Sequence, residues 1–331
     1  MAGREGLGKR ETRMTFACLK RVGASVLCLQ MVACSQGPDL SGLAAERSRQ
    51  PQRYDVAQAI AANGQVVVVG TQNGAVLVSG DQGRTWRRKV LGHASMIDIA
   101  VCGESGFVAI DHYRKVWFAG KDGNDWRPRE LERPRTPLAV ACDDQGGWWV
   151  AGVNSVIAGS RDQGKTWRIT DLGEDTQVTT IQFIDGRNAI AFGEFGLMVT
   201  SEDGGATWRK GPKLPGDFYP YAAVFRDRNE GWVSGLAGQI VHTRDGGQTW
   251  SKQVNETSAS LNRMFLHKDV PYGVGNGGVI ARLDGNIWRA VPYTDALPVF
   301  LGGGASLPGH SAVVIGGPRG LLRTVSVANN Q

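Results

Sequence analysis

Several things are scarce in these 331 residues. Cysteine and histidine number five each, and methionine six. So few cysteines make no disulfide scaffold. The scattered histidines, with no Cys-x-x-Cys beside them, form no recognisable set of metal ligands. No apolar run approaches the roughly 20 residues that cross a bilayer as a helix. Charge is modest too: 21% charged against 41% hydrophobic excludes a disordered chain. Glycine is abundant, at 46, but lacks the Gly-X-Y period of collagen. Gly-x-Ser-x-Gly, His-Glu-x-x-His and a phosphate-binding loop are all missing.

The net charge of +6 invites a nucleic-acid reading until it is mapped. Residues 1–33 hold Arg4, Lys9, Arg10, Arg13, Lys20 and Arg21 against Glu5 and Glu11, so four of the six charges lie there. The remainder of the chain is nearly neutral, and no nucleic-acid partner is expected. After Lys20-Arg21 comes an uncharged run over residues 22–33, of signal-peptide length. It ends in Met31-Val32-Ala33-Cys34, which resembles a bacterial lipobox with Met in place of the usual Leu. These features predict a signal peptide over residues 1–33, with translation starting at Met14, and lipidation of Cys34. Residues 34–52 read as a flexible tether. The expected location is the cell envelope, as an outer-membrane lipoprotein facing the periplasm.

The rest of the chain repeats. Ser79-Gly-Asp81-Gln-Gly83-Arg-Thr85-Trp86 recurs with Ser160, Asp162, Gly164 and Trp167. It recurs again with Ser201, Asp203, Gly205 and Trp208, and with Thr243, Asp245, Gly247 and Trp250. Shorter Asp-Gly-Asn-x-Trp copies end at Trp126 and Trp288. The six tryptophans are 40, 41, 41, 42 and 38 residues apart. Short β-rich runs such as residues 66–69 and 75–78 precede each copy, separated by glycine turns. A period near 40 with short strands predicts an all-β, seven-bladed β-propeller of four-stranded antiparallel blades over residues 53–331. The seventh unit has strands but no terminal Trp. Ring closure is expected from residues 53–56, pairing as the last strand of blade seven.

In each copy the Ser/Thr and Asp side chains can bond turn backbone, the glycine accepts a left-handed φ, and the Trp anchors the hairpin. The element is a fold staple. Its Asp-x-Gly resembles a calcium loop, but the five-ligand spacing over twelve residues is absent, and no metal or cofactor is expected. Cys102 and Cys142, 40 apart, fall at equivalent places in adjacent blades. Stacked sheets lie about 10 Å apart, beyond disulfide reach, so free buried thiols are expected.

The repeated element resembles the Asp-box, or BNR repeat. The fuller pattern, as in residues 231–250 (Gly-Trp-Val-Ser-Gly, a glycine turn, then the box), is similar to blades of the photosystem II stability and assembly factor family and its bacterial relatives. Residues 193–208 match as closely, and the resemblance extends over residues 54–325. It implies a monomeric, non-catalytic scaffold that helps assemble or stabilise a membrane protein complex, a photosystem or an envelope transporter, by binding it or a precursor subunit. The alternative is a sialidase-like glycosidase or glycan-binding propeller. A sialidase's Arg cluster and Phe-Arg-Ile-Pro motif are not found, and Asp143, Asp144 and Asp217 are candidate carboxylates only in the sense that loops can gather distant residues.

Partners of propellers bind the loops away from the box turns. In blade two these are residues 111–115 and 127–135, which predict a basic patch of His112, Tyr113, Arg114, Lys115, Arg129, Arg133 and Arg135. The resemblance implies that such an arginine-rich patch meets an acidic segment. A second basic set comes directly after the tryptophans (residues 87–89, Arg127, Arg168, Arg209, Lys210, Lys252, Arg289) and guards the outer strand edges.

Overall fold

Every repeat folds as an antiparallel meander, because two valine-rich runs joined by a tight turn can each be buried on both faces. Blade one shows the pattern: Ala57–Ala62, Val67–Thr71, Ala75–Ser79 and Arg87–Val90 pair in sequence order. The two middle strands are buried along their whole length, whereas the outer one, opening on the basic residues after the Trp, is mostly exposed. A computed structural model describes residue 42 and residues 50–216, 218–307 and 309–327. The leader, Cys34, the tether up to residue 49 apart from residue 42, and Asp217 lie outside the described residues.

The sheets form seven blades. Five have four strands; in blade six a short strand, Val254–Asn255, lies parallel against Ile287–Ala290, and blade seven has three strands among the described residues. There is no single core. Seven apolar clusters fill the seven gaps between neighbouring blades, each drawing side chains from both sides. Between blades three and four, for example, Trp149 meets Phe183 and Trp208 with ring centroids 5.3 and 6.1 Å apart.

Ring closure departs from expectation. Residues 53–56 form no strand. The Gln52 amide donates to Asp55 Oδ2 at 2.9 Å and the Asp55 amide to the Gln52 carbonyl at 3.0 Å, a local turn that competes with strand pairing. Closure comes from packing instead: Ala57, Ile60, Val67, Val69 and Leu77 of blade one interdigitate with Ala305, Leu307, Ala312 and Val314 of blade seven. The Ala57 amide also donates to Gly317 at 3.0 Å, and Gly320 donates to Asp55 at 2.7 Å.

The thiol expectation is also overturned. Cys102 and Cys142 form a disulfide, with Cα atoms 5.1 Å apart. The 10 Å spacing applies where sheets stack face to face; blades fan out from an axis, so their inner strands converge. At the corresponding end of blades four and five the Phe225 amide reaches the Gln182 side chain at 3.0 Å, the same convergence without cysteine.

Candidate partner-binding face

The boxes define one face of the ring. In box one, Ser79 Oγ accepts from the Gly83 amide at 2.7 Å and donates to Asp81 Oδ1 at 2.7 Å. Asp81 then accepts from the Thr85 amide at 2.8 Å and from its hydroxyl. The boxes at Ser160–Asp162–Gly164, Ser201–Asp203–Gly205 and Thr243–Asp245–Gly247 repeat this scheme. Donation by the threonine hydroxyl and amide holds Asp81, Asp162, Asp203 and Asp245 at about 2, below the ordinary 3.8. The hydroxyl and carboxylate oxygens of the box are thus directed at its own turn. Gly205 (φ +82°) cannot carry a side chain, because a Cβ there would run into the Trp149 ring of blade three.

Three of the boxes also lock their blade to the one before it. The Gln82 carbonyl accepts from Thr324 Oγ1 at 2.9 Å, that of Gln163 from Arg129 Nε at 3.1 Å, and that of Gly204 from Arg161 at 2.8 Å. Trp86, Trp167 and Trp250 are half-buried in these seams, and Trp126, Trp208 and Trp288 fully buried.

The opposite face, built of second-to-third-strand turns and inter-blade loops, differs in kind. Eight large apolar side chains are exposed among the described residues, and six of them (Tyr54, Tyr113, Phe195, Leu236, Leu297 and Phe300) stand here. The box face has none; Val90 and Val254 sit on outer strands. Asp111 shapes the blade-two turn: Oδ1 accepts from the Tyr113 and Lys115 amides at 2.9 Å, and Oδ2 from Trp117 Nε1 at 2.9 Å. The Leu131 amide donates to the Arg114 carbonyl at 2.9 Å, so residues 111–115 and 131–135 adjoin. His112, Tyr113 (69% exposed), Arg114 and Arg135 project freely, and Lys115 Nζ lies 5.9 Å over Trp117.

Two expected members are otherwise engaged. Arg127–Glu130 is the outer strand of blade two rather than a loop, and Arg129 lies over Phe118 at 4.9 Å while bonding Gln163. Arg133 pairs with Asp171 at 2.7 Å. Asp143 is buried, accepting from Gly147 at 2.7 Å and Trp149 Nε1 at 3.2 Å, and facing Arg161 at 3.3 Å; Asp144 is exposed. No group of three or more metal-ligating side chains is found among the described residues.

The ring's axis holds a cavity of about 390 Å³ whose polar lining includes Asp98, Thr179, Thr180, Tyr221, Arg263 and Ser306. Arg263 of blade six reaches across it, donating to the Ile97 carbonyl at 3.1 Å and standing 3.4 Å from Asp98 of blade two. Burial raises the Asp98 carboxyl, and Arg263 offsets this only in part. This pair was not legible in the sequence, since its members are 165 residues apart.

Over residues 118–281, from blade two into blade six, the chain matches the family described as Photosynthesis system II assembly factor YCF48. That stretch, about half of the chain, resembles this family. Photosystem II assembly lipoprotein Ycf48 of Synechococcus sp. (strain CC9902) is 30% identical over 111 residues, 32% of this chain and 33% of that protein. The match thus spans about a third of that relative's length. A structure of YCF48 bound to D1 peptide superposes with a TM-score of 0.67 at 15% identity, covering 84% of this chain and 95% of that one. Catalytically inactive virginiamycin B lyase from Staphylococcus aureus, with quinupristin, superposes at 0.73 and 12% identity over 84% and 97%. At such identities the likeness to YCF48 and to the lyase is one of fold.

Proposed function

We propose that this YCF48-like propeller is a non-catalytic scaffold that docks a subunit of a membrane protein complex, or its precursor, on the loop face. The observation that carries this is the asymmetry of the ring. Exposed aromatic and aliphatic side chains gather on one face, beside the basic blade-two loops, whereas the box face, which also carries exposed basic side chains, shows no large apolar one among the described residues. Exposed apolar groups set among arginines suit a protein surface. The blade-two loops supply the basic part: Arg114, Lys115 and Arg135, beside His112 and Tyr113, meet an acidic segment of the partner. A YCF48 structure with a bound D1 peptide supports the same kind of partner for this chain. The lipoprotein name of the Synechococcus relative supports lipidation of Cys34. On this reading the lipid holds the propeller at the outer membrane, facing the periplasm. A photosystem and an envelope transporter are both complexes of the required kind.

The test is affinity purification from native membranes with mass spectrometry, repeated after reversing Arg114, Lys115 and Arg135 to Glu. A stoichiometric membrane-protein partner, lost on reversal, is expected. Recovery that is unchanged and insensitive to salt overturns the blade-two site; glycan retention without a protein partner overturns the scaffold reading.

A further inference from the structure

One turn on the loop face is built against the preference of its own backbone. In blades three to six the middle residue of the second-to-third-strand turn is left-handed: Asn154, Phe195, Ala237 and Gly277 have φ of 56°, 56°, 56° and 72°. Glycine or asparagine accepts this readily, whereas a bulky aromatic resists it. Phe195 nevertheless occupies it in blade four, 58% exposed. The turn is held by its surroundings, with the Gly196 amide donating to the Phe218 carbonyl at 2.9 Å and the Leu214 amide to Gly196 at 2.9 Å. A strained, exposed aromatic has no packing role that would justify it, and strain of this kind gathers at functional sites.

Its neighbours share one chemistry. Glu194 precedes it, with Oε2 accepting from the Gln177 amide at 2.9 Å, and it has no cationic partner among the described residues. The Tyr219 phenol is raised by burial first and by the charge of the Glu194 carboxylate second. Tyr219 and Tyr221 stand edge to face, ring centroids 5.7 Å apart, and Tyr221 reaches into the axial cavity. Leu236, 57% exposed, closes the far side, its amide donating to the Tyr219 carbonyl at 3.2 Å. A carboxylate beside two half-buried aromatic rings, flanked by two exposed apolar side chains, complements a cation carried between apolar groups.

We propose that Glu194, Phe195, Tyr219, Tyr221 and Leu236 form a second docking notch, for a basic side chain flanked by apolar residues in a partner peptide. The charge it selects is opposite to that selected by the blade-two loops, two blades away. A partner segment reaching both would be fixed in direction as well as place, because reversing it would set like charges together. The notch stands on its own geometry and does not depend on the blade-two site.

Fluorescence anisotropy with the full chain tests it, using labelled Ac-Gly-Leu-Arg-Leu-Gly-amide and its counterpart with Glu in place of Arg. The Arg peptide binds at least fivefold more tightly than the Glu peptide. Glu194→Gln removes most of that difference, whereas reversal of Arg114, Lys115 and Arg135 leaves it intact. Phe195→Gly weakens binding while the melting temperature holds or rises, which separates docking from folding. Equal binding of the two peptides, no binding of either, or an Arg preference that survives Glu194→Gln overturns the proposal.

Discussion

Cys102 and Cys142 join the inner strands of blades two and three, their Cα atoms 5.1 Å apart. The bond ties together two blades that no hydrogen-bonded ladder connects, at the box-turn end of their inner strands, away from the loops proposed to bind a partner. Non-reducing peptide mapping is expected to find the two cysteine peptides linked. Changing both cysteines to serine should cost roughly 2–4 kcal/mol of stability, the usual contribution of a bridge closing a loop of this size. Separate peptides carrying free thiols would contradict this pairing.

The boxes make stability depend on acid. Asp81, Asp162, Asp203 and Asp245 titrate at about 2 when folded, against an ordinary 3.8. A lowered folded value means that the stabilisation is complete above the unfolded value and is lost as pH falls through the folded one. Urea midpoints should hold down to about pH 4 and drop between there and pH 2. Converting Thr85, Thr166, Thr207 and Thr249 to Val removes the hydroxyl donors, the largest cause of the shift, and should flatten that drop.

The axial pair behaves in the opposite sense. Asp98 is raised by burial and Arg263 offsets part of the cost. Arg263→Met leaves the carboxylate unaccompanied, so it should lose about 2 kcal/mol at pH 7. Because a raised carboxyl favours the folded state below its folded value, the deficit should shrink as the pH is lowered towards 4. Thermal melts at pH 4 and 7 compare the two; an equal loss at both would show that the charge is immaterial.

Two arginines assigned to the same patch by sequence should separate in experiment. Arg129 covers Phe118 and bonds Gln163 in the next blade, so Arg129→Ala should cost about 1–2 kcal/mol. Arg135 is exposed, and its replacement by alanine should change stability by less than about 0.5 kcal/mol. Chemical denaturation of both variants decides this.

The fold was legible in local spacing alone. A box ending in Trp every 40 or so residues carries its own hydrogen-bond partners within eight positions, so the turns, the strands between them and the number of blades are all local facts. The basic outer strands were legible for the same reason, since each comes directly after its tryptophan. The contents of the gaps between blades were not, and had to await tertiary packing. The disulfide, the closure of blade one on blade seven, the Asp98–Arg263 pair and the capture of Arg129 and Arg133 all join residues whose separation depends on how sheets fan around an axis, which no local spacing records. The turn holding Phe195 lies between these cases. Aligning the repeats puts a phenylalanine where other blades carry Asn, Ala or Gly, but only the backbone angle shows that the position resists it and only the neighbouring loops show what stands around it.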